Sequence, residues 1–188
     1  MMRIITGSAR GVRLETLAGD ATRPTAERAK EAVFSMLQFS LEGRRVLDLF
    51  AGSGQLGLEA VSRGAAEAVL VDASRDAIGV ITRNAERTRL SGSVEIVRSD
   101  ALQFLASRSV TPFHLVFLDP PYVAGLVPQA LLRLCERGWL TAGALIVAET
   151  AEKNDVFGGD MALAERFEIL KESRYGAAYI TILKEKTV

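Results

Sequence analysis

The sequence predicts an α/β fold: a doubly wound, mostly parallel sheet, finished by antiparallel C-terminal strands and preceded by a short N-terminal β-hairpin plus helix. Three observations predict it. From residue 45 onward, short apolar runs alternate with helical stretches, the pattern of parallel strands covered on both faces. A glycine-rich turn, Gly52-Ser53-Gly54-Gln55-Leu56-Gly57, follows the first of these runs and precedes a helical segment. The last two β-like runs meet at Tyr175-Gly176 with no room for a helix between them, so they pair antiparallel.

Taken in order, residues 3–6 and 12–17 flank Gly-Ser-Ala-Arg-Gly and read as a hairpin. A polar loop over 18–23 leads to Pro24 at a helix start, with Thr22 or Thr25 as the cap. Ala29, Val33, Met36 and Leu37 recur at helical spacing, so 25–39 is an amphipathic helix with Arg28 and Lys30 facing water. Strands follow at 46–50, 68–72, 94–97, 113–119 and 144–149, and helices at 55–63, 74–89, 100–107 and 128–137. Two antiparallel runs, 167–173 and 178–184, end the sheet. A chain of 188 residues, 48% hydrophobic and 24% charged, has ordinary globular composition and suits one domain. Residues 1–40 are read as its appendage.

Composition also excludes several functions. Lys plus Arg equals Asp plus Glu, 23 of each, so a wholly electrostatic nucleic-acid binder is not expected. The zero hides an asymmetry, because residues 1–45 carry eight basic and five acidic side chains. The single cysteine, Cys135, sits in an apolar helical stretch, and the single histidine, His114, opens an apolar run. Both are read as structural, and no metal site is expected. The N-terminus has no signal-peptide pattern, and no apolar run reaches the roughly 18–20 residues of a membrane span. The expected location is the cytoplasm.

The chemistry is concentrated at strand ends. The glycine turn allows a ligand close to the backbone, and Asp72, ending the second strand, can accept hydrogen bonds from ribose hydroxyls. Together they indicate an adenosine-containing cofactor. A dinucleotide would bring its diphosphate to the turn, where Asp48 would repel it. Asp48 suits the ammonium and sulfonium of S-adenosylmethionine instead, unless it merely binds loop amides. Asp100, followed by Ala101, either meets an adenine amino group or caps the next helix. The candidate cofactor-binding residues are therefore Asp48, Phe50, Gly52, Gly54, Asp72, Asp100 and Ala101.

The fourth strand runs into Asp119-Pro120-Pro121-Tyr122. Two prolines stiffen this turn at the same sheet edge as the glycine turn. Asp119 and the Pro120 carbonyl can accept hydrogen bonds from an exocyclic amine, leaving its lone pair free to attack a methyl group. Tyr122 can stack on the base, an interaction worth about 1–3 kcal/mol.

With these residues in view, the sequence resembles the RsmD family of class I, Rossmann-like methyltransferases with a seven-stranded sheet. The resemblance is carried by Arg3-Ile4-Ile5-Thr6-Gly7, Arg10-Gly11, Arg23-Pro24-Thr25, Arg28, Glu31 and Phe34. It extends through Asp48 to Gly54, Leu56 to Ala60, Asn84 and Asp119 to Tyr122. It implies S-adenosylmethionine-dependent methylation of the N2 amine of a guanine in 16S ribosomal RNA, within a small-subunit particle. Asp119, Pro120 and Tyr122 would then be catalytic, and Arg10, Arg23, Thr25 and Arg28 would contact RNA, where phosphate contacts dominate affinity. Some relatives carry Phe in place of Tyr122 and Glu in place of Asp72, which preserves both roles. Two alternatives stay open: a DNA adenine-N6 or cytosine-N4 methyltransferase, and an NAD-dependent oxidoreductase. The oligomeric state is left open.

Overall fold

The computed structural model describes residues 2–17, 24–107, 111–121, 125–153 and 155–186, and only the backbone at 24–27. Its helices are α1 Pro24–Leu37, α2 Gln55–Ser62, α3 Arg75–Thr88, α4 Ala101–Ala106, α5 Leu126–Glu136 and α6 Met161–Glu165. Its strands are β1 Arg45–Asp48, β2 Glu67–Asp72, β3 Val94–Arg98, β4 Phe113–Leu118, β5 Leu140–Thr150, β6 Phe167–Tyr175 and β7 Ala178–Glu185. They form one seven-stranded sheet in the order β3-β2-β1-β4-β5-β7-β6. The pairs from β3 to β5 are parallel, and β7 runs antiparallel to both β5 and β6. The predicted fold class is therefore the observed one.

The apolar runs are continuous because both faces of the sheet are covered. Along β1 and β4, Val46, Leu115 and Phe117 pack with Phe34, Leu58 and Ile81 from α1, α2 and α3. Their sequence neighbours Leu47, Val116 and Leu118 point the other way, onto Leu105, Leu131 and Trp139 beside α4 and α5. Successive strand residues serve opposite layers, so polar alternation never develops. Helix starts are fixed by side-chain caps: Ser74 accepts from Ala77 N–H, Asp100 from Gln103 N–H and Asp160 from Leu163 N–H.

The N-terminal segment closes as the expected antiparallel hairpin, with Ile4 N–H donating to the Val12 carbonyl, Gly11 N–H to the Ile4 carbonyl and Leu14 N–H to the Met2 carbonyl. Residues 3–6 and 12–17 make one isolated antiparallel bridge, Arg3 with Arg13. The segment is held from below by α2. The buried Glu59 carboxylate accepts from Ile5 N–H at 2.7 Å and Thr6 N–H at 3.0 Å, and the Ser62 hydroxyl accepts from Ala9 N–H at 3.0 Å. Gly7 sits at φ +90°, and a Cβ there would lie 1.7 Å from the Ser62 carbonyl oxygen. Only glycine lets the turn come this close to the helix.

Two further differences have simple causes. Helix α6 was not expected, because five residues give too short a window for helical periodicity. Strand β5 begins at Leu140, earlier than predicted, across a register shift against β4 between Phe113 and Leu115. Among the described residues, no helix is long and apolar enough to cross a membrane.

Candidate active site

Strand β1 is flanked by β2 on one side and β4 on the other. The chain winds away in opposite directions from this point, and ligands of such sheets bind beyond the strand ends there. A cleft of about 770 Å³ opens at that place. Phe50, Gly52, Asp72, Asp100 and Ala101 line it, and so do Asp119 and Pro120 after β4. The glycine turn and the proline turn, far apart in sequence, thus share one cavity.

Asp72 is the organising carboxylate. One oxygen accepts from Gly52 N–H at 2.9 Å and the other from Ser74 N–H at 2.8 Å. A carboxylate has about four acceptor positions, so capacity for two ligand hydroxyls remains. The turn itself is held by Asn84, which is fully buried. Its amide donates to the carbonyls of Ser53 and Glu15, both at 2.9 Å, and accepts from Glu15 N–H at 2.8 Å. This ties the cleft to the N-terminal segment. Asp100 is exposed, lines the cleft and caps α4, so it combines both positions that the sequence offered as alternatives.

Two predicted ligand residues lie elsewhere. Gly54 is absent from the cleft lining. It sits beneath the turn at φ +78°, where a Cβ would approach Leu70 at 3.0 Å and Ile81 at 3.2 Å. It is there for close packing and backbone hand. Asp48 is 1% exposed and likewise does not line the cleft. One oxygen accepts from Gly57 N–H at 3.0 Å, and the other has no hydrogen-bond partner. The carboxyl braces the start of α2 rather than offering its charge to a ligand. Withdrawn there, Asp48 does not repel a diphosphate from the cleft, as its place at a strand end had suggested.

Burial pushes the Asp48 carboxyl up to about 7, against the Gly57 hydrogen bond, with Asp72 adding to the rise and Lys30 opposing it. A carboxyl raised on folding holds more protons folded than unfolded between its two pKa values. Its contribution to stability is therefore full below the ordinary carboxylate range and is lost as pH climbs through about 7. Asp48→Asn keeps the acceptor for Gly57 and removes the titration. Relative to wild type, the variant should gain on the order of 2–3 kcal/mol between pH 5 and pH 8. Urea unfolding at both pH values measures this, and parallel pH profiles would contradict the assignment.

Asp119 is exposed at the cleft while Pro120 is buried behind it. Tyr122 and Arg23 lie outside the described residues, as does the Thr25 side chain. Arg10 and Arg28 are exposed and do not line the cleft. Lys30, expected to face water, lines it instead. Sequence reasoning also missed Gln55, Ser74 and Glu149, which line it too. Of these, only Gln55 was visible beforehand, as a polar residue inside the glycine motif. His114 accepts from Arg45 N–H at 3.2 Å, and burial with nearby Arg44 lowers its pKa. Burial pushes the Cys135 thiol up to about 12, which leaves it unreactive.

The chain is similar to several known proteins along most of its length. The family described as Conserved hypothetical protein 95 matches residues 2–184. The chain is 39% identical over 153 residues to the ribosomal RNA small subunit methyltransferase D of Escherichia coli K12, covering 81% of this chain and 76% of that protein. It is 35% identical over 177 residues to the protein of the same name from Haemophilus influenzae, covering 93% and 89%. The solved structure of the Escherichia coli protein yhhF superposes with a TM-score of 0.88 at 34% identity, covering 100% of this chain and 99% of that one.

Proposed function

We propose that this chain, which belongs to the RsmD family, transfers a methyl group from S-adenosylmethionine to the exocyclic N2 amine of a guanine in 16S ribosomal RNA of the small subunit. The observation that carries the reading is the single cleft shared by the glycine turn and the Asp119-Pro120 turn. The first suits an adenosine-bearing donor and the second an amine acceptor. The names of the relatives support ribosomal RNA as the substrate class.

The residues fit the cofactor. Asp72 keeps acceptor capacity for ribose hydroxyls, and Ser99, Asp100 and Ala101 line the cleft at the end of β3, where adenine belongs. When bound, S-adenosylmethionine supplies an electrophilic methyl group on a sulfonium. The protein's part is orientation and exclusion. A guanine N2 amine is a weak nucleophile because its lone pair is conjugated into the ring. Asp119 and the Pro120 carbonyl accept its two N–H groups and hold the nitrogen pyramidal. Buried Pro120 and the adjoining Pro121 ring keep both acceptors fixed, so little ordering remains to be done at reaction. Tyr122 stacks on the base, which has left its helix. Arg10 and Arg28, which do not line the cleft, engage the RNA backbone together with Arg23 and Thr25.

Radiolabelled methyl transfer tests the reading. Small subunits from cells lacking the enzyme should accept label at one guanine, and duplex DNA should accept none. Labelled adenine or cytosine in DNA, with unlabelled subunits, would overturn the RNA assignment in favour of a DNA amino-methyltransferase. Stabilisation by NADH but not by S-adenosylmethionine would point to an oxidoreductase.

A further inference from the structure

With Asp48 withdrawn beneath the turn, the amino-acid end of the cofactor lacks the partner that the sequence assigned to it. The strand order narrows the search. Adenine at the end of β3 and ribose at β2 direct the remainder of the molecule toward β1, with the target amine beyond it at β4. The polar side chains lining the cleft beside β1 are Ser53 and Gln55. The Ser53 hydroxyl already meets the Met2 sulfur at 3.2 Å. Gln55 is different. It is the first residue of α2, 6% exposed, and its amide oxygen is buried without a hydrogen-bond partner. A buried amide left unpaired is destabilising, and apolar residues fill such helix positions at no such cost. Retaining an unmatched amide on the wall of a ligand cleft makes sense if a ligand completes it.

We infer that Gln55 is a cofactor-contacting residue, its amide reserved for the charged amino-acid end of S-adenosylmethionine. This rests on the proposed function. The ammonium donates and the carboxylate accepts, so either orientation of the amide finds a match there. Hydrogen bonds to charged groups are stronger than neutral ones, which makes this contact selective for ligands that keep the amino acid.

Ligand truncation tests it. Calorimetric binding of S-adenosylhomocysteine and of 5′-methylthioadenosine, which lacks the amino-acid end, is measured on wild type, Gln55→Ala and Gln55→Met. The Met variant conserves side-chain length and packing. Both variants should weaken S-adenosylhomocysteine by about tenfold and leave methylthioadenosine within about twofold. Equal weakening of both ligands, or none, with wild type binding normally, overturns the role of Gln55 alone. A wild-type protein that binds neither ligand overturns the cofactor reading and this inference with it.

Discussion

Asp119→Ala should reduce methyl transfer by about 10²–10⁴-fold, the range expected when a positioned acceptor is removed from the reacting group. S-adenosylhomocysteine affinity should stay within about twofold. The split follows from the geometry. Asp119 stands on the proline turn after β4, whereas the proposed cofactor positions lie after β1, β2 and β3. Removing its carboxylate leaves one N–H of the amine without an acceptor and its lone pair conjugated. Asp119→Asn keeps one acceptor oxygen and should lose far less. Single-turnover kinetics beside calorimetry resolves the two effects. A variant that binds cofactor normally and turns over like wild type would remove the Asp-Pro-Pro turn from the chemistry.

The largest stability effect is expected at Glu59. Its carboxylate is 1% exposed and accepts from Ile5 N–H, Thr6 N–H and the Arg63 guanidinium, the last at 2.6 Å. Arg63 also lies over the Phe34 ring at 4.8 Å. Glu59→Ala strands a largely buried cation and two backbone donors together. Breaking a buried pair in this way costs about 3–5 kcal/mol. For a chain of this size the melting temperature should fall on the order of 10 °C. The N-terminal segment should also become sensitive to proteolysis near residues 5–9, because its main anchor on α2 is gone. Glu59→Gln keeps one acceptor and should lose less. An unchanged melting curve for Glu59→Ala would show that the packing of Ile4, Ala9 and Leu14 and the bonds to Ser62 and Asn84 hold the segment without Glu59.

The sheet and the cleft were readable because their signals are local. Apolar runs such as Val46-Leu47 and Leu115 to Leu118 have few other folds open to them, and the Gly52 and Pro120 turns mark strand ends directly. The two final strands were readable from the Tyr175-Gly176 turn. What escaped depends on contacts between distant residues. Asp48 looked like a ligand carboxylate because sequence shows its place at a strand end and not the depth to which Gly57 draws it. Lys30 looked solvent-facing because the helix pattern marks Val33 and Leu37 as buried but cannot show that a cleft opens beside them. The N-terminal hairpin was legible from its glycine turn, but the hydrogen bonds that anchor it to Glu59, Ser62 and Asn84 were not. Gln55 passed as a variable position in a glycine motif, since an unmet hydrogen bond leaves no trace in a sequence.

Strand β7 lies between β5 and β6 although it follows both in the chain. During synthesis, the edge of β5 therefore stays open until residues 178–185 have left the ribosomal exit tunnel. The half of the sheet from β3 to β5 can assemble on the emerging chain, but β6 has no strand to pair with until its successor slides in.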